Sequence, residues 1–411
     1  MDSEKLSLIK QAPTIEIIKE SELDALFQNY KEPRHYIGFE LSGKLHLGSM
    51  IVCGNKINQL KKAGFKTTVF LADWHSIINH KLGGDPEKIK KAGKYFEEAF
   101  KFYCPGIEVV YGSQLYDSYK DYWKEVIQFN QKITLARITR CLTIMGRSEK
   151  DSLDVAQFFY PSMQAVDIHA LDVQLAHAGM EQRKIHVLAR EVFPQLGWKP
   201  PVLLHHELLP SLAESQDAVK VHKVGNNEKL HTSEGIFEVS LTSNTATLYD
   251  ENRENFFELN VGTAKTISEI IVKLNAISEG NATITVKSIG AGKMSKSKPE
   301  SAIFIHDSEQ DLKTKMKKAF CPPCATMDEA KENPVLEYCR LLVDFSHEKK
   351  LKRYKKEDLT VTSYLQLADY YCKGEIHPLD LKDFTVQEIN NQIKGIREFF
   401  DSRKELLEVF S

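Results

Sequence analysis

The sequence lacks a long apolar run and a strong charge of either sign, and each absence narrows the possible functions. No apolar stretch reaches the roughly 20 residues that a membrane-spanning helix needs, and residues 1–11 (MDSEKLSLIKQ) lack the apolar core of a signal peptide. The formal net charge of −2 excludes a global polycation, so nucleic-acid binding would require a local basic patch. We therefore expect a cytoplasmic protein with no membrane association.

Paired cysteines are also lacking. The seven cysteines are an odd number and lie scattered along the chain, which is typical of reduced thiols in the cytoplasm. One Cys-x-x-Cys motif, Cys321–Cys324, has neither a second cysteine pair nor a nearby histidine pair, so we expect a plain loop and not a zinc site. The sequence predicts no metal site built from protein side chains.

The first half of the chain indicates an α/β fold. With 411 residues, 42% hydrophobic and 27% charged, the chain is expected to form two or three globular domains. Strands are predicted at 35–41, 67–73 and 107–112, and helical stretches at 86–103 and 119–146. This alternation predicts a parallel sheet with helices on both faces and ligands at the carboxyl ends of its strands.

The texture changes near Leu212. Residues 213–287 indicate a small α+β module with 7 Lys and Arg against 11 Asp and Glu, a net charge of −4 that argues against a general RNA-binding surface. Its elements are predicted as strands at 235–241, 245–250, 255–261 and 282–288, and a helix over 267–277. From about residue 309 the chain reads helical, and KKLKRYKK (349–356) places six basic residues in eight positions.

Two segments have the composition of phosphate-binding loops. GFELSGKLHLGS (38–49) is a glycine-rich turn from a strand into a helix expected to begin near His46, where glycines permit close backbone approach and free N–H groups attract anions. GKMSKSKP (292–299) clusters three lysines and two serines, which could wrap a triphosphate, since phosphoryl chemistry needs positioning and positive charge. A Lys/Ser run by itself is more often a solvated loop.

A third segment, FYPSMQAVDIH (159–169), raises the question of a small polar ligand. Tyr160, Gln164 and Asp167 are spaced i, i+4 and i+7, so they share one face if the segment is helical. A phenol, an amide and a carboxylate in line on an otherwise apolar helix indicate a polar ligand.

HLGS followed by KMSKS resembles the signature pair of the class I aminoacyl-tRNA synthetases. Further segments narrow the resemblance to tyrosyl-tRNA synthetases of the archaeal and eukaryotic type, over about residues 30–400 apart from the module. These segments are YIGFELSGKLHLG (36–48), FLADWH (70–75), YPSMQAVDIH (160–169), GMEQRKIHVLARE (179–191) and EIHPLDLK (375–382).

The resemblance implies a Rossmann-like catalytic domain with an inserted module and a C-terminal α-helical anticodon-binding domain. The expected divisions are 1–212 for the first part of the catalytic domain, 213–287 for the module, 288–320 for the KMSKS loop and linker, and 321–411 for the anticodon-binding domain. It also implies a ligase that joins L-tyrosine to tRNA(Tyr) with ATP as substrate and Mg²⁺ expected beside it. A homodimer is implied as well, with 119–146 as a candidate interface.

The resemblance further implies a role for each matched residue. The phenolic hydroxyl of tyrosine is expected at Tyr36 and Asp167, and its α-amino group at Tyr160, Gln164 and Gln182. ATP contacts are expected at Gly38, His46, Gly48, Ser49, Lys293, Met294, Ser295, Lys296 and Ser297, of which His46, Lys293, Lys296 and Ser297 are the expected catalytic groups. Contacts with tRNA are expected at Arg183, His377 and Asp380.

Three positions depart from the family pattern. Ser49 stands in the place of the second signature histidine, Leu41 stands where archaeal relatives often have proline, which we expect to loosen the loop, and Lys355–Lys356 replace a Phe/Gly-type stretch near the anticodon. Other histidines in matching segments, such as His75 and His177, are expected to satisfy local hydrogen bonds.

Three alternatives stay open at this point. A tryptophan-specific synthetase of the same class is disfavoured by Tyr36 with Asp167, because an indole offers one N–H donor whereas a phenol both donates and accepts. A cytidylyl- or adenylyltransferase can also use an HxGH loop, but the KMSKS-like segment and the chain length disfavour it. A catalytically impaired paralogue that binds RNA has Ser49 as its only support.

Overall fold

The computed structural model describes residues 2–147, 152–212, 302–331 and 333–410, together with the backbone of five strands between 221 and 260. The first part contains a six-stranded sheet made of β1 (Thr14–Ile18), β2 (Arg34–Phe39), β3 (Lys66–Leu71), β4 (Glu108–Tyr111), β5 (Leu175–Gly179) and β6 (Val202–His206). The strand order is β1-β6-β5-β2-β3-β4.

The sheet is parallel from β2 to β6, as predicted, but it is mixed at one edge. All neighbouring pairs among β2 to β6 run parallel, whereas β1 lies antiparallel to β6. The predicted parallel sheet is therefore confirmed, with one antiparallel edge strand that was not predicted, a common addition to parallel α/β sheets.

Helices of the first part cover both faces of this sheet. They are α1 (Ser3–Lys10), α2 (Leu23–Asn29), α3 (Cys53–Lys62), α4 (Asp73–Ile78), α5 (Pro86–Tyr103), α6 (Gly112–Ser118), α7 (Tyr122–Asn130), α8 (Leu135–Cys141), α9 (Tyr160–Ala170) and α10 (Arg183–Val192). Successive residues of β2 show the two faces: Tyr36 packs in one hydrophobic cluster with Met163 of α9, and Ile37 packs in another with Phe96 of α5.

Two of the predicted helical stretches have different outcomes. Residues 86–103 form one helix, which Asp85 caps by accepting the N–H groups of Glu87 and Lys88. The stretch 119–146 is not continuous, because Thr134 accepts the N–H of Arg137 and starts a new helix. That prediction is corrected to two α-helices, α7 and α8, followed by a 3₁₀ turn over Leu142–Met145.

The region predicted as an inserted module contains a separate antiparallel sheet of order β11-β10-β9-β8-β7. Its strands are β7 (Val221–Val224), β8 (Lys229–Thr232), β9 (Gly235–Thr242), β10 (Thr245–Asp250) and β11 (Phe256–Asn260). The strands predicted at 235–241, 245–250 and 255–261 are confirmed by β9, β10 and β11. The predicted helix 267–277 and strand 282–288 lie outside the described residues.

The C-terminal part is mainly helical. Its helices are α11 (Glu309–Lys318), α12 (Met327–Lys331), α13 (Pro334–Leu342), α14 (Tyr364–Cys372) and α15 (Pro378–Asp401). We expected the basic run 349–356 to be helical, and this prediction is wrong. The first three residues form β12 (Lys349–Leu351), which pairs antiparallel with β13 (Leu359–Val361), and the residues between the two strands form a turn.

The cysteines are free thiols, as predicted, and Cys321–Cys324 lies in a loop. Within the part of the chain that the structure describes, no helix is both long and apolar enough to cross a membrane.

Candidate active site

A cavity of about 930 Å³ opens at the carboxyl end of β2, near the point where the sheet order turns from β2 to β5 on one side and to β3 on the other. Such switch points are where parallel α/β sheets bind ligands, and the volume suits an amino acid together with a nucleotide. The predicted tyrosine contacts and the first-signature ATP contacts all line this cavity: Tyr36, Gly38, His46, Gly48, Ser49, Tyr160, Gln164, Asp167 and Gln182.

Helix α9 brings three of these residues to the cavity together. Tyr160, Gln164 and Asp167 all lie within this helix and all line the same space. The predicted shared face is therefore confirmed, although the helix is apolar on its other sides and largely buried.

Asp167 is a fully buried polar group of the cavity, with none of its surface exposed. The Tyr122 hydroxyl donates to its Oδ1 at 2.7 Å, while its Oδ2 has no hydrogen-bond partner among the described residues. His75 Nε2 lies 3.6 Å from that oxygen. One carboxyl oxygen is thus held by a protein donor, whereas the other has none among the described residues.

Burial governs the ionisation of these groups. Desolvation raises the pKa of Asp167 well above its usual range, against the opposing effect of the hydrogen bonds from Tyr122 and Tyr116. Desolvation also raises the pKa of Tyr36 well above its usual range, with a further contribution from the negative charge of Asp167. Burial lowers the pKa of His75 to about 3, so this imidazole is neutral at physiological pH.

The position of the Tyr36 side chain explains why residue 38 is a glycine. A Cβ added at Gly38 would lie 2.7 Å from the Tyr36 hydroxyl, a separation that no real Cβ tolerates. The absence of a side chain at Gly38 therefore lets the phenol of Tyr36 fold back beside its own strand.

The other end of the cavity carries amides and an acid. Gln164 Nε2 donates to Gln182 Oε1 at 3.1 Å, and Gln182 Nε2 donates to a main-chain carbonyl at 2.9 Å. The Tyr160 hydroxyl donates to Glu40 Oε1 at 3.0 Å, and Lys81 lies 3.3 Å from the other oxygen of Glu40. This end offers carbonyl oxygens and a carboxylate, which are acceptors for an ammonium group.

Glu40, Tyr122 and His75 were missed as site residues. Glu40 had a signal, since an acidic residue directly after a strand of a parallel sheet lies at the ligand-binding edge. His75 lies in the matching segment FLADWH but was expected only to satisfy local hydrogen bonds. Tyr122 had no signal, because nothing in its segment indicates a contact with Asp167.

The signature loop folds into a short π-helical segment, Gly48–Val52, that leads into α3, two residues later than the predicted start. The Ser49 N–H donates to His46 Nδ1 at 3.2 Å, so a neutral His46 ring carries its proton on Nε2. The Ser49 hydroxyl accepts from the His46 N–H and donates to the His46 carbonyl, both at 3.1 Å. Ser49 thus braces His46 from the position of the second signature histidine.

We expected Leu41 to loosen the signature loop, and the structure contradicts this expectation. Its N–H donates to the Ser76 hydroxyl at 2.8 Å, a bond that proline could not make, and its side chain is fully buried. The correction is that leucine ties this loop to α4.

The predicted residues Lys293, Met294, Ser295, Lys296 and Ser297 lie outside the described residues. The segment after them contacts the signature loop: the Leu47 N–H donates to the Ile303 carbonyl at 2.9 Å, and the Ile305 N–H donates to the Leu45 carbonyl at 3.1 Å.

The predicted tRNA contacts do not line the cavity. Arg183 starts α10 and pairs with Glu16 at 2.8 Å. His377 caps α15 by accepting the Leu379 N–H, and the Asp380 carboxylate accepts the Tyr354 N–H in the basic turn at 3.3 Å. The structure therefore brings His377 and Asp380 together with this turn.

Among the residues with described side chains, no group of three or more His, Cys, Asp or Glu side chains is arranged to hold a metal ion.

Known proteins resemble the chain over its whole length. The sequence profile described as tRNA synthetases class I (W and Y) matches residues 28–227 and 257–393. The tyrosine–tRNA ligase of Thermococcus kodakarensis is 37% identical over 431 aligned positions, which cover 100% of this chain and 98% of that protein.

Solved structures show the same similarity. Tyrosyl-tRNA synthetase from Pyrococcus horikoshii, crystallised with L-tyrosine, is 34% identical with a TM-score of 0.74, covering 100% of this chain and 99% of that one. Tryptophanyl-tRNA synthetase from Aeropyrum pernix shares the fold at 15% identity and a TM-score of 0.59, covering 94% of this chain and 84% of that one. The chain therefore belongs to the class I aminoacyl-tRNA synthetase family that contains the tryptophan and tyrosine enzymes.

Proposed function

We propose that the protein activates L-tyrosine with ATP and transfers the tyrosyl group to the 3′ end of tRNA(Tyr). The observation that carries this proposal is the buried carboxyl of Asp167, with one oxygen held by Tyr122 and the other without a partner among the described residues. Tyr36 lines the same cavity. A phenolic hydroxyl would donate to Asp167 and accept from Tyr36, which satisfies both groups.

The first step forms tyrosyl-adenylate. The substrate carboxylate attacks the α-phosphorus of ATP, the bond between that phosphorus and the bridging oxygen to the β-phosphate breaks, and pyrophosphate leaves. The Nε2–H of His46 would donate to the phosphate as charge develops there, and Lys293 and Lys296 would add positive charge. Mg²⁺ would enter as the counterion of ATP.

The second step moves the tyrosyl group to tRNA. A ribose hydroxyl of the terminal nucleotide attacks the acyl carbon, and AMP leaves with its electron pair. The bond between the acyl carbon and the adenylate oxygen breaks, and the proton of the ribose hydroxyl passes to the departing phosphate, so no strong protein base is required. Arg183 is proposed to contact the acceptor stem, and His377 with Asp380 the anticodon.

The substrate ammonium is proposed to bind between Tyr160, Gln164 and Gln182. Glu40, which accepts the Tyr160 hydroxyl, adds the negative charge that this end of the cavity needs. An amino acid would therefore be held at both ends, by its ammonium and by its phenol.

A tryptophan-specific enzyme is the second candidate, because the family includes both specificities. An indole N–H could donate to Asp167 but would leave Tyr36 without a donor or an acceptor from the substrate. The tyrosine assignment is also supported by the names of relatives that align over their full length.

We also propose that the chain is a cytoplasmic homodimer with the divisions 1–212, 213–287, 288–320 and 321–411. The candidate interface region 119–146 carries three exposed large apolar side chains, Trp123, Ile127 and Leu135. Exposed large apolar side chains of this kind are typical of a subunit contact when they lie together.

Pyrophosphate exchange tests the first step. Purified protein, ATP and labelled pyrophosphate are incubated with each of the twenty amino acids in turn. We expect exchange with tyrosine far above that with phenylalanine or tryptophan. Exchange with tryptophan alone, or with no amino acid, would contradict the proposal.

A further inference from the structure

A buried polar chain, three of whose members (Cys53, His177 and His206) line the cavity, is not used by the reaction described above. His35, His177 and His206 come from the neighbouring strands β2, β5 and β6. His35 Nε2 lies 3.1 Å from His177 Nδ1, and His177 Nε2 lies 2.8 Å from His206 Nδ1. His206 Nε2 lies 3.5 Å from the thiol of Cys53, the first residue of α3.

One consistent direction accounts for every hydrogen bond of this chain. The Cys53 thiol donates to the Gly48 carbonyl at 3.3 Å, and a carbonyl only accepts, so the sulfur must accept from His206 Nε2–H. His206 Nδ1 then accepts from His177, and His177 Nδ1 accepts from His35. This order leaves His35 Nδ1 without a proton, and that nitrogen has no hydrogen-bond partner among the described residues.

Burial favours the neutral forms of three groups of the chain. It lowers the pKa of His35 to about 3 and lowers the pKa of His177 well below its usual value. Burial also raises the pKa of the Cys53 thiol. One proton on each of the His35 and His177 rings and one on the Cys53 sulfur fit this direction at physiological pH.

The chain ends at the signature histidine. The peptide bond between Gly48 and Ser49 carries the Gly48 carbonyl on one side and the Ser49 N–H on the other. This N–H donates to His46 Nδ1 at 3.2 Å. A peptide is planar, so fixing its carbonyl with the Cys53 thiol also fixes the direction of the N–H. That N–H in turn determines which nitrogen of a neutral His46 ring carries the proton.

We propose that Cys53, supported by the histidine chain from His35 through His206, is a positioning residue that orients the Gly48–Ser49 peptide and thereby keeps Nε2–H of His46 directed at the phosphate. This inference rests on the proposed role of His46. Apolar side chains would fill the same core volume without the cost of burying polar groups, so a chain of three aligned imidazoles implies a demand for hydrogen bonds.

Substitution of Cys53 tests the proposal with a matched control. Cys53→Ala and Cys53→Val remove the donor, the second with a side chain of similar size, while Cys53→Ser keeps a group that both donates and accepts. Cys104→Ala is the control, because the Cys104 thiol donates to the neighbouring glycine carbonyl, that of Gly54, at 3.5 Å. Each variant is also made in a His46→Ala background.

The readouts are the tyrosine-dependent exchange rate at saturating substrates, the dissociation constant for tyrosine, and the thermal midpoint. We expect Cys53→Ala and Cys53→Val to lower the rate about tenfold, since small misplacements of a catalytic donor cost one to two orders of magnitude. Tyrosine affinity should not change, Cys53→Ser should restore most of the rate, and Cys104→Ala should match the wild type. In the His46→Ala background, loss of the Cys53 thiol should cost less than about twofold, because coupled residues are not additive.

Several results would overturn the proposal. Additive losses in the His46→Ala background would show that Cys53 acts independently of His46, and equal losses for Cys53→Ser and Cys53→Val would show that the hydrogen bond is irrelevant. A lower exchange rate in His46→Ala with no change in Cys53→Val would contradict the positioning role of Cys53 and leave the proposed role of His46 standing. Wild-type exchange in His46→Ala would remove the role of His46 and this inference with it, while no exchange in the wild type would instead contradict the tyrosine activation proposed above.

Discussion

At the scale of single residues, the proposed specificity for tyrosine rests on the two carboxyl oxygens of Asp167. Tyr122 donates to one of them, and the other has no hydrogen-bond partner among the described residues, although Asp167 lines the cavity. Phenylalanine would leave both that oxygen and the Tyr36 hydroxyl unpaired in a buried site, which costs free energy. For tyrosine-specific synthetases in general this rejection is known to reach roughly 10⁵-fold.

Tyr122→Phe should weaken this arrangement. Without the hydroxyl, Asp167 Oδ1 loses its 2.7 Å donor, and an unpaired buried acceptor costs about 1–3 kcal/mol. We expect kcat/KM for tyrosine in pyrophosphate exchange to fall about tenfold or more, with little change for phenylalanine.

Tyr338→Phe is the matched control for that substitution. The Tyr338 ring is fully buried in the C-terminal core, and its hydroxyl has no hydrogen-bond partner among the described residues. Removing it should leave exchange unchanged and raise the free energy of unfolding by up to about 1 kcal/mol. An equal loss of exchange in both variants would mean that Tyr122 acts through general stability.

How far the site could be predicted also shows at this scale. Tyr160, Gln164 and Asp167 were predictable because helical spacing alone brings them together. Tyr122 lies 45 residues before Asp167, and nothing in the sequence records that tertiary contact. The sequence shows that Ser49 departs from the family pattern. It does not show the hydrogen bonds between the Ser49 hydroxyl and the His46 backbone, because these depend on how the chain turns there.

At the scale of elements, the signature loop depends on a glycine that touches its histidine. A Cβ at Gly48 would lie 3.2 Å from two atoms of the His46 ring and 3.5 Å from Leu209. Gly48→Ala should therefore displace His46, and we expect the maximal exchange rate to fall about tenfold while tyrosine binding is retained.

Gly395→Ala controls for the extra methyl group. Its Cβ would meet only Phe102, at 3.8 Å, and alanine favours a helix by up to about 1 kcal/mol over glycine. This variant should keep full exchange and unfold at a slightly higher temperature. Full exchange in Gly48→Ala as well would contradict the proposed role of the loop.

The N-terminal helix is tied to helix α3 by a buried lysine. Lys56 of α3 is fully buried, and its amino group donates to the carbonyls of Leu8, Ile9 and Gln11 at 2.9–3.2 Å. Lys56→Met should lower the free energy of unfolding by about 2–4 kcal/mol, because the carbonyls lose their donor. Denaturant unfolding measures this, with the exposed Lys62→Met on the same helix as the control; equal values for the two variants would contradict it.

The elements differ in how well the sequence predicted them. Helix α5 and strands β2 to β4 were predictable because the spacing of their apolar residues and, for the helix, its capping residue indicate the same elements. The edge strand β1 was missed, since five residues pairing with distant β6 carry no local pattern. The break in 119–146 depends on one capping threonine, and the basic hairpin β12–β13 depends on pairing across a turn.

At the scale of the whole molecule, subunit association can be tested separately from catalysis. Ile127 is 56% exposed within the candidate interface region, so Ile127→Glu would place a charge in the contact. We expect sedimentation to show a dimer for the wild type and a shift to monomer for this variant. Leu365→Glu, at a site 67% exposed in the C-terminal part, should stay dimeric, and a dimeric Ile127→Glu would place the interface elsewhere.

The family profile does not cover the whole of the predicted inserted module. The family profile leaves residues 228–256 unmatched, inside the module predicted from composition. Every predicted residue found in the catalytic cavity lies outside that stretch. The chemistry of the cavity is therefore argued from residues within the matched ranges.

The most direct test of the central claim is the charging of tRNA(Tyr) by the full-length chain. Labelled tyrosine, phenylalanine and tryptophan are each offered at equal concentration with ATP, Mg²⁺ and a tRNA(Tyr) transcript, and acid-precipitable label is measured over time. The account predicts rapid, ATP-dependent attachment of tyrosine, with phenylalanine and tryptophan at background. Attachment of tryptophan in preference to tyrosine, or no attachment by a folded protein, would contradict it.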